Sequence, residues 1–271
     1  PGRTTGGAGR GMNPALPLLE QRLLLSHVTG LSREQWITRE PNLNAEQQEQ
    51  YDSLVARRLS GVPMAYLLGT REFYGRSFYV SPAVLIPRPE TELLVEFALQ
   101  HAAPGARVLD AGTGSGAIAV SIAAERPDLQ VVAVDLNDDA LALAGRNSTR
   151  WAEGRVHLVR SDWFSALSEQ EPFDVIVSNP PYIAAGDPHL QQGDLRYEPA
   201  QALTDGADGL QCLRHLIQHA SRYLRDQGWL ALEHGYDQAV AVRALMQDRG
   251  WRDVQSQRDL AQIERISYGR K

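Results

Sequence analysis

The sequence predicts an α/β protein built on a doubly wound, mostly parallel seven-stranded sheet, with a small helical domain and a β-hairpin ahead of it. Two observations support this fold class. Short apolar runs rich in β-branched residues alternate with helical patterns from residue 106 onward, as in doubly wound α/β domains. The run at residues 173–177 is apolar on both faces, which is typical of a central strand between two layers of helices.

The composition is that of an ordinary globular protein. The 271 residues carry a net charge of -6, and this acidic balance argues against direct binding of nucleic acid, which favours a basic face. The only cysteine, Cys212, cannot form an internal disulfide, so a reducing, cytoplasmic location is expected. No apolar run approaches the roughly 20 residues that span a bilayer, so we expect no membrane association.

The chain ahead of the sheet is predicted to hold two helices. Residues 1–12 are rich in glycine and almost devoid of apolar side chains, so a disordered leader is expected. Residues 13–66 are expected to form the helical domain. Its first helix is predicted from leucines at helical spacing, namely Leu16, Leu19, Leu23 and Leu24. Its second is predicted from a capping box of Asn44 and Gln47, followed by an apolar face of Tyr51, Leu54, Val55 and Leu59.

A linker at residues 67–88 is predicted to contain the hairpin. Aromatic strand sequence at residues 73–80 surrounds Gly75, which suits a tight turn. Prolines then stiffen residues 86–92, and Pro89 suits the first turn of a following helix. Such a loop either lines a cleft or simply leads into the helix, and its composition leaves both interpretations open.

The third predicted domain, residues 89–271, contains the sheet. Strands are expected near residues 107–110, 130–135, 156–159, 173–178, 228–233, 254–258 and 264–268. The last two are too close in sequence for a helical crossover, so they should pair in antiparallel fashion.

A glycine-rich turn follows the first strand of this domain, at Gly112, Thr113, Gly114, Ser115 and Gly116. Glycines let a ligand approach the backbone, and the helix that follows offers free N–H donors. The next strand ends at Asp135, whose carboxylate could accept two ribose hydroxyls. A nucleoside cofactor is therefore predicted. Because Gly112, Gly114 and Ala117 also match the dinucleotide fingerprint, NAD and S-adenosylmethionine both remain open.

Two further loops follow strand ends. Asn179-Pro180-Pro181-Tyr182 closes a central strand, and the paired prolines force the backbone out of the sheet where ligands bind in open parallel sheets. A plain turn is the alternative interpretation. After the strand at 156–159, Asp162 could face an adenine edge while Trp163 supplies an apolar wall. Alternatively, Trp163 is a core residue and Asp162 a helix N-cap.

No metal site is predicted. His215 and His219 lie four residues apart on a predicted helix, but the glutamate of a zinc-binding H-E-x-x-H motif is missing. Glu233 and His234 end a strand, where we expect a satisfied polar pair and not a general base.

These motifs, in this order and spacing, resemble the Rossmann-like class I S-adenosylmethionine-dependent methyltransferases that modify planar nitrogens. Further matches resemble the bacterial release factor glutamine methyltransferases, also called the HemK or PrmC family, and they lie at residues 69–75, 86–92, 187–194, 196–199 and 233–235. The resemblance covers residues 60–271, whereas the helical domain is shorter than that of the family and the first residues match nothing in it.

The resemblance implies an enzyme that methylates the side-chain amide nitrogen, N5, of the glutamine in the Gly-Gly-Gln motif of peptide chain release factors and thereby modulates translation termination. S-adenosylmethionine would be the cofactor and S-adenosylhomocysteine the product. The implied partner is the release factor, docked by the helical domain of a monomeric enzyme. The family's pattern assigns catalysis and substrate binding to one loop and cofactor binding to several. The loop is Asn179, Pro180, Pro181 and Tyr182, and the cofactor residues are Gly112, Thr113, Gly114, Ser115, Gly116, Asp135, Asp162, Trp163 and Asn179.

Within this resemblance, Asn179 and the Pro180 carbonyl would accept the two amide N–H groups, and Tyr182 would pack its ring on the amide. Three alternatives remain. The same chemistry could act on a glutamine of a ribosomal protein. An adenine-N6 nucleic-acid methyltransferase shares the Asn-Pro-Pro-Tyr motif, although the acidic balance disfavours it. An NAD-dependent oxidoreductase fits the glycine turn but leaves that motif without a role.

Overall fold

The computed structural model describes residues 15–32, 35 and 42–271, so the predicted leader at 1–12 lies outside the described residues. The chain divides into two compact units, and the boundary falls between Gly69 and Thr70. The domain limits at residues 66 and 88, which were expected from the sequence, stay predictions.

The first unit is helical in its described part. Its helices are α1 (Leu18–Thr29), α2 (Ala45–Leu59) and α3 (Met64–Leu68). The predicted capping box starts α2: Asn44 Oδ1 accepts a hydrogen bond from the Gln47 backbone N–H at 2.8 Å, and Gln47 Oε1 accepts from the Asn44 N–H at 3.1 Å. Two of the N–H groups that a helix start leaves unpaired are therefore satisfied by side chains.

The helices of the first unit share one apolar core, which consists of Leu16, Leu24, Leu25, Tyr51, Leu54, Val55 and Leu67. The predicted face of α1 is wrong in part, because Leu19 and Leu23 are 57% and 41% exposed. The buried face instead passes through Gln21, whose side-chain amide donates to the Leu16 carbonyl at 2.8 Å. Leu59, which ends α2, is also exposed and not part of its apolar face.

The second unit begins with the predicted hairpin, β1 (Thr70–Phe73) paired antiparallel with β2 (Arg76–Tyr79). Seven further strands form one sheet: β3 (Arg107–Ala111), β4 (Gln130–Asp135), β5 (His157–Arg160), β6 (Phe173–Ser178), β7 (Leu224–Glu233), β8 (Arg252–Arg258) and β9 (Glu264–Arg270). Their spatial order is β5-β4-β3-β6-β7-β9-β8. The pairs from β5 to β7 are parallel, while β9 is antiparallel to β7 and to β8. The predicted seven-stranded, mostly parallel sheet and its antiparallel end are confirmed.

Helices of the second unit cover both faces of this sheet. They are α4 (Glu92–His101), α5 (Ala117–Glu125), α6 (Asp138–Ala152), α7 (Ala200–Leu203), α8 (Gln211–Tyr223) and α9 (Ala239–Asp248). Val108 packs in the core cluster of α4 and α5, while the next residue, Leu109, packs in that of α8 and α9. This alternation is the period of a strand buried on both faces. Across the described ranges, no helix is long and apolar enough to cross a membrane.

One buried side chain connects the hairpin with the glycine-rich turn. Asn147, on α6, accepts a hydrogen bond from the Tyr79 N–H at 2.8 Å and donates to the carbonyls of Tyr79 at 3.0 Å and Ser115 at 2.8 Å. The amide of Asn147 thus satisfies backbone groups of two separate segments.

Replacing this side chain should destabilise the protein. We expect Asn147→Ala to lower the free energy of unfolding by about 2 to 4 kcal/mol, because three backbone groups lose their partner in a buried site. Thr149→Ala, at an exposed position of the same helix, should change it by less than about 0.5 kcal/mol. Urea titration of both variants measures the difference, and equal stabilities would contradict the role of Asn147.

Candidate active site

A cavity of about 590 Å³ lies at the carboxyl ends of β3, β4, β5 and β6. Here the strand order reverses, because β3 has β4 on one side and β6 on the other. Ligands of open parallel sheets bind at such a switch point. The volume falls within the roughly 300 to 1,000 Å³ that is usual for small-molecule sites.

Most of the residues that the sequence singles out line this cavity: Gly112, Thr113, Gly114, Ser115, Asp135, Asp162, Trp163, Asn179 and Pro181. Gly116, Pro180 and Tyr182 are not among its lining residues. The fold therefore brings together loops that are far apart in sequence, while three of the candidates take other positions beside it.

The glycine-rich turn begins at Gly112, whose backbone lies beside the Trp163 ring. Gly112 has a φ of 78°, and a Cβ atom there would lie 3.4 Å from the Trp163 ring. The backbone N–H groups of Gly112 and Thr113 both donate to the Val134 carbonyl at 2.9 Å. Gly114 has a φ of 55° with open space where its Cβ would be. At Gly112 and Gly114 the loop thus exposes backbone without a side chain to the cavity.

Gly116 has a different environment from the other two glycines. It precedes α5 with a φ of 80°, and a Cβ atom there would lie 3.0 Å from the Ala144 Cβ and 3.2 Å from a Val120 methyl group. Ala144 belongs to α6, so the absence of a side chain at Gly116 allows α5 and α6 to pack closely. A cofactor-binding role for Gly116 stays a prediction.

Asp135 stands at the end of β4, on the wall of the cavity. Its Oδ2 accepts a hydrogen bond from the Gly114 N–H at 2.8 Å, and its Oδ1 accepts from the Asn137 N–H at 2.9 Å. Each carboxylate oxygen has two lone pairs, so both can still accept a ribose hydroxyl. The carboxylate therefore also holds the glycine-rich turn in place, a role that the sequence did not suggest.

The loop after β5 places Trp163 with its backbone at a φ of 49°. Ser161 fixes this conformation, since its hydroxyl donates to the Trp163 carbonyl at 2.8 Å and accepts from the Ala166 N–H at 3.0 Å. Trp163 packs on the core and also lines the cavity. The N-cap interpretation of Asp162 is wrong, because turns and not a helix follow it.

Asn179 is held by a residue that is distant in sequence. Its Nδ2 donates to the Thr91 hydroxyl at 3.2 Å. Thr91 is buried and belongs to the 3-10 turn Pro89–Thr91, directly before α4. In the described part of the chain, no protein group donates a hydrogen bond to Asn179 Oδ1 or to the Pro180 carbonyl oxygen. Two acceptors from neighbouring residues are thus left for another molecule.

Tyr182 is anchored at both ends. Its hydroxyl donates to Glu233 Oε1 at 3.1 Å, and its carbonyl accepts from the Gln238 side chain at 3.0 Å. Burial and the neighbouring Glu233 carboxyl group raise the pKa of Tyr182 well above its ordinary value. The phenol is therefore neutral and committed to Glu233.

Three residues that the sequence did not assign to the site organise this region. Thr91 and Glu198 had no predicted role, and Glu233 was expected only to form a satisfied polar pair. The Glu198 side chain is fully buried, accepts from the Ile86 N–H at 2.9 Å and forms an ion pair with Arg88. It thereby connects two stretches, 86–92 and 196–199, that the sequence had singled out separately. Polar residues among prolines marked both stretches in the sequence. Nothing in the sequence indicated that the two stretches contact each other.

Two buried carboxyl groups have unusual acidity. Burial raises the pKa of Asp110 to about 7, although a hydrogen bond from the Thr113 hydroxyl at 2.6 Å opposes this effect. Burial likewise raises the pKa of Glu233 to about 7, although hydrogen bonding by the hydroxyls of Thr91 and Tyr182 lowers it in part. One oxygen of each, Asp110 Oδ1 and Glu233 Oε2, has no hydrogen bond of ordinary geometry within the described residues. The expected satisfied pair at the end of β7 is therefore incomplete on its Glu233 side.

The histidines behave as ordinary polar groups. The His234 ring nitrogens contact the Gly235 carbonyl at 2.9 Å and the Ser267 hydroxyl at 2.8 Å, and burial lowers the pKa of the ring. The rings of His215 and His219 lie 4.6 Å apart. No group of three or more metal-binding side chains occurs among the residues that the structure describes.

Cys212, at the start of α8, also lines the cavity. Burial, followed by the charges of Asp205 and Asp162, raises the pKa of its thiol to about 11. The thiol is therefore protonated near neutral pH.

Comparison with known proteins identifies the family. The family model described as Methyltransferase small domain matches residues 89–196, and the PrmC N-terminal domain matches residues 13–69. The release factor glutamine methyltransferase of Burkholderia pseudomallei is 52% identical over 94% of this chain and 92% of its own length. The chain belongs to the release factor glutamine methyltransferase family. The enzyme of that name from Bordetella pertussis is also 52% identical, over 95% of this chain and 96% of its own.

Membership of this family confirms the predicted enzyme class, an S-adenosylmethionine-dependent protein-(glutamine-N5) methyltransferase. It also excludes the NAD-dependent oxidoreductase. The match of the PrmC N-terminal domain shows that the similarity to the family also includes residues 13–69, whereas the sequence motifs covered residues 60–271. A methyltransferase from Pyrococcus furiosus shares the fold, with a TM-score of 0.56, 20% identity and coverage of 81% of this chain and 98% of its own.

The glycines of the turn should differ in their effect on the stability of this methyltransferase. Gly116→Ala should lower the free energy of unfolding by about 2 to 4 kcal/mol, because it adds a close contact with α6 to the strain of a positive φ. Gly114→Ala carries only the strain, about 1 to 2 kcal/mol. Thermal or urea unfolding of both variants tests this order, and an equal loss would contradict the packing role of Gly116.

The raised pKa of Asp110 should make stability depend on pH. From about pH 4 to pH 7 the unfolded chain loses the Asp110 proton while the folded chain keeps it, so this residue makes stability fall as the pH rises. Asp110→Asn removes that term. The difference in free energy of unfolding between the variant and wild type should therefore increase by about 2 to 4 kcal/mol, in favour of the variant, as the pH is raised from 5 to 8. The exposed Asp139→Asn is the control, and parallel pH profiles for wild type and Asp110→Asn would refute the shift.

Proposed function

We propose that this enzyme transfers a methyl group to the side-chain amide nitrogen of the glutamine in the Gly-Gly-Gln motif of peptide chain release factors, and so modulates translation termination. The observation that carries this proposal is a pair of neighbouring acceptors, Asn179 Oδ1 and the Pro180 carbonyl. Neither accepts a hydrogen bond within the described residues, and Asn179 lines the cavity. A primary amide presents two N–H groups, which matches two acceptors. The shared name of the relatives supports release factors as the substrate.

The cavity fits S-adenosylmethionine on this chain's own features. Gly112 leaves the loop open beside the Trp163 ring, and Asp135 offers carboxylate oxygens at the wall. We infer that residues 112–115 hold the methionine part, Asp135 the ribose hydroxyls, and Asp162 with Trp163 the adenine. When bound, this cofactor supplies an electrophilic methyl group on a sulfonium and leaves as S-adenosylhomocysteine.

The residues of the Asn-Pro-Pro-Tyr loop would act by positioning. An amide nitrogen is a poor nucleophile because its lone pair is delocalised into the carbonyl. As the nitrogen is methylated it gains positive charge, so acceptors on its N–H groups bind the transition state more tightly than the ground state. The methylated nitrogen then loses one of its two protons to solvent, which leaves a neutral N-methyl amide. Orientation alone can supply on the order of 7 kcal/mol, so a strong base is not required.

Tyr182 fits a packing role in this scheme. Its hydroxyl is occupied by Glu233 and its pKa is raised, so it is not set up to remove a proton. We propose that its ring packs on the substrate amide. Docking of the release factor on the helical unit, a monomeric state, a cytoplasmic location and the absence of nucleic-acid binding stay predictions.

The decisive experiment follows labelled methyl transfer from S-adenosylmethionine. The acceptors are a purified release factor, the same factor with its Gly-Gly-Gln glutamine replaced by alanine, intact ribosomal subunits and duplex DNA. Label on the intact factor alone would support the proposal. Label on ribosomal protein would favour the alternative glutamine substrate, and label on DNA or ribosomal RNA would favour adenine-N6 chemistry.

Removing the Asn179 acceptor should abolish most of the turnover. We expect Asn179→Ala to lower kcat about a hundredfold or more, as loss of one preorganised transition-state contact does in other enzymes. Circular dichroism should show an intact fold. Gln100→Ala removes an exposed amide on α4 and serves as the control, which should retain full activity. Near-normal turnover of Asn179→Ala would remove this residue from the proposed mechanism.

A further inference from the structure

We propose that Thr91 and Glu233 are positioning residues that determine which end of the Asn179 amide faces the substrate. This inference rests on the proposed role of Asn179 Oδ1 as an acceptor. An asparagine amide can turn by 180° with almost no change in shape, which exchanges its oxygen and its NH2 group. In the turned state Asn179 would present two donors to the substrate amide, and binding of the reacting nitrogen would be lost.

The first part of the device is the contact between Asn179 and Thr91. Asn179 Nδ2 lies 3.2 Å from the Thr91 hydroxyl oxygen, and Thr91 is only 4% exposed, so water does not compete freely for this contact. A threonine hydroxyl both donates and accepts. By itself, Thr91 would therefore pair equally well with either end of the amide.

The second part is Glu233, at the buried end of β7. Its Oε1 accepts from the Tyr182 hydroxyl at 3.1 Å, and the Thr91 hydroxyl is close enough to the carboxyl group to lower its pKa. An ionised carboxylate only accepts hydrogen bonds. The Thr91 proton is therefore drawn toward Glu233, and the Thr91 lone pairs face Asn179. Only the NH2 end of the amide can pair with them, so Oδ1 is turned toward the substrate.

The charge on Glu233 determines whether this selection operates. Burial raises its pKa to about 7, Glu90 raises it further, and Arg265, itself paired with Asp259 at 2.9 Å, lowers it. The neighbouring His234 is neutral, because burial lowers its pKa. Once protonated, the Glu233 carboxyl group can donate to Thr91, which frees the Thr91 proton for Asn179 Oδ1. The turned amide then becomes competitive.

One oxygen of the Glu233 carboxylate can accept this proton. Glu233 Oε2 is buried and has no hydrogen bond of ordinary geometry within the described residues. It is therefore the carboxylate oxygen that is available to carry a proton. The consequence is that kcat should rise as the pH increases through the neutral range.

The first test compares two variants of Thr91 at saturating S-adenosylmethionine and release factor. Thr91→Val keeps the shape and removes the hydroxyl, and we expect kcat to fall about tenfold or more, since small misplacement of a binding group costs that much. Thr91→Ser restores the hydroxyl and should recover most of kcat. The KM for S-adenosylmethionine should change less than about twofold in both variants. A normal kcat for Thr91→Val, or equal losses in the two variants, would overturn the proposal.

The second test does not depend on Thr91 variants being well folded. The ratio of wild-type kcat to that of Glu233→Gln should rise about fivefold or more between pH 6 and pH 8, because the variant cannot ionise at this position. Taking the ratio cancels titration of the release factor and of other enzyme groups. The exposed Glu96→Gln should give a flat ratio. A flat ratio for Glu233→Gln would overturn the proposal.

Asn179→Ala, measured in parallel, separates this inference from the proposed function. If wild type and Asn179→Ala have equal turnover, the proposed function of the loop fails, and the inference fails with it. If Asn179→Ala is inactive while Thr91→Val and Glu233→Gln behave like wild type at every pH, only the positioning device is refuted.

Discussion

The structure of the site depends on how β3 and β6 end side by side. The two strands are parallel neighbours, and the Ser178 hydroxyl of β6 donates to the Ala111 carbonyl of β3 at 2.6 Å. Beyond this bond the chain leaves β3 through the glycine-rich turn and leaves β6 through two prolines. Because proline fixes φ, the loop after β6 is stiff. The glycine-rich turn after β3 lines the same cavity. The proposed cofactor and substrate positions both follow from this one junction.

Much of the architecture could be predicted from the sequence because it rests on local rules. A strand buried on both faces has a recognisable apolar run, and a capping box fixes a helix start within four residues. The hairpin, the parallel core and the antiparallel end were predicted on this basis, as was the cavity wall at Asp135. These features need only neighbouring residues, and a single sequence contains that information.

The remainder depends on contacts between distant segments. Leucine spacing could not show that Gln21, and not Leu19, lies on the buried face of α1, because that choice depends on the partners of the helix. Gly116 resembles its neighbours in sequence, yet α6 determines its environment. The contact of Thr91 with Asn179 spans 88 residues. Buried carboxyl groups such as Asp110 and Glu233 lower stability at neutral pH, and enzymes commonly tolerate this loss near their sites.

The position of Cys212 gives this enzyme a built-in reporter. It is the only cysteine of the chain and lines the cavity, and its thiol has a pKa of about 11. Since the thiolate is the reactive form, alkylation near neutral pH should be slow, and it should report on a single position. A ligand that fills the cavity would shield this sulfur further. The rate of thiol modification therefore gives a chemical measure of cavity occupancy that requires neither turnover nor an added label.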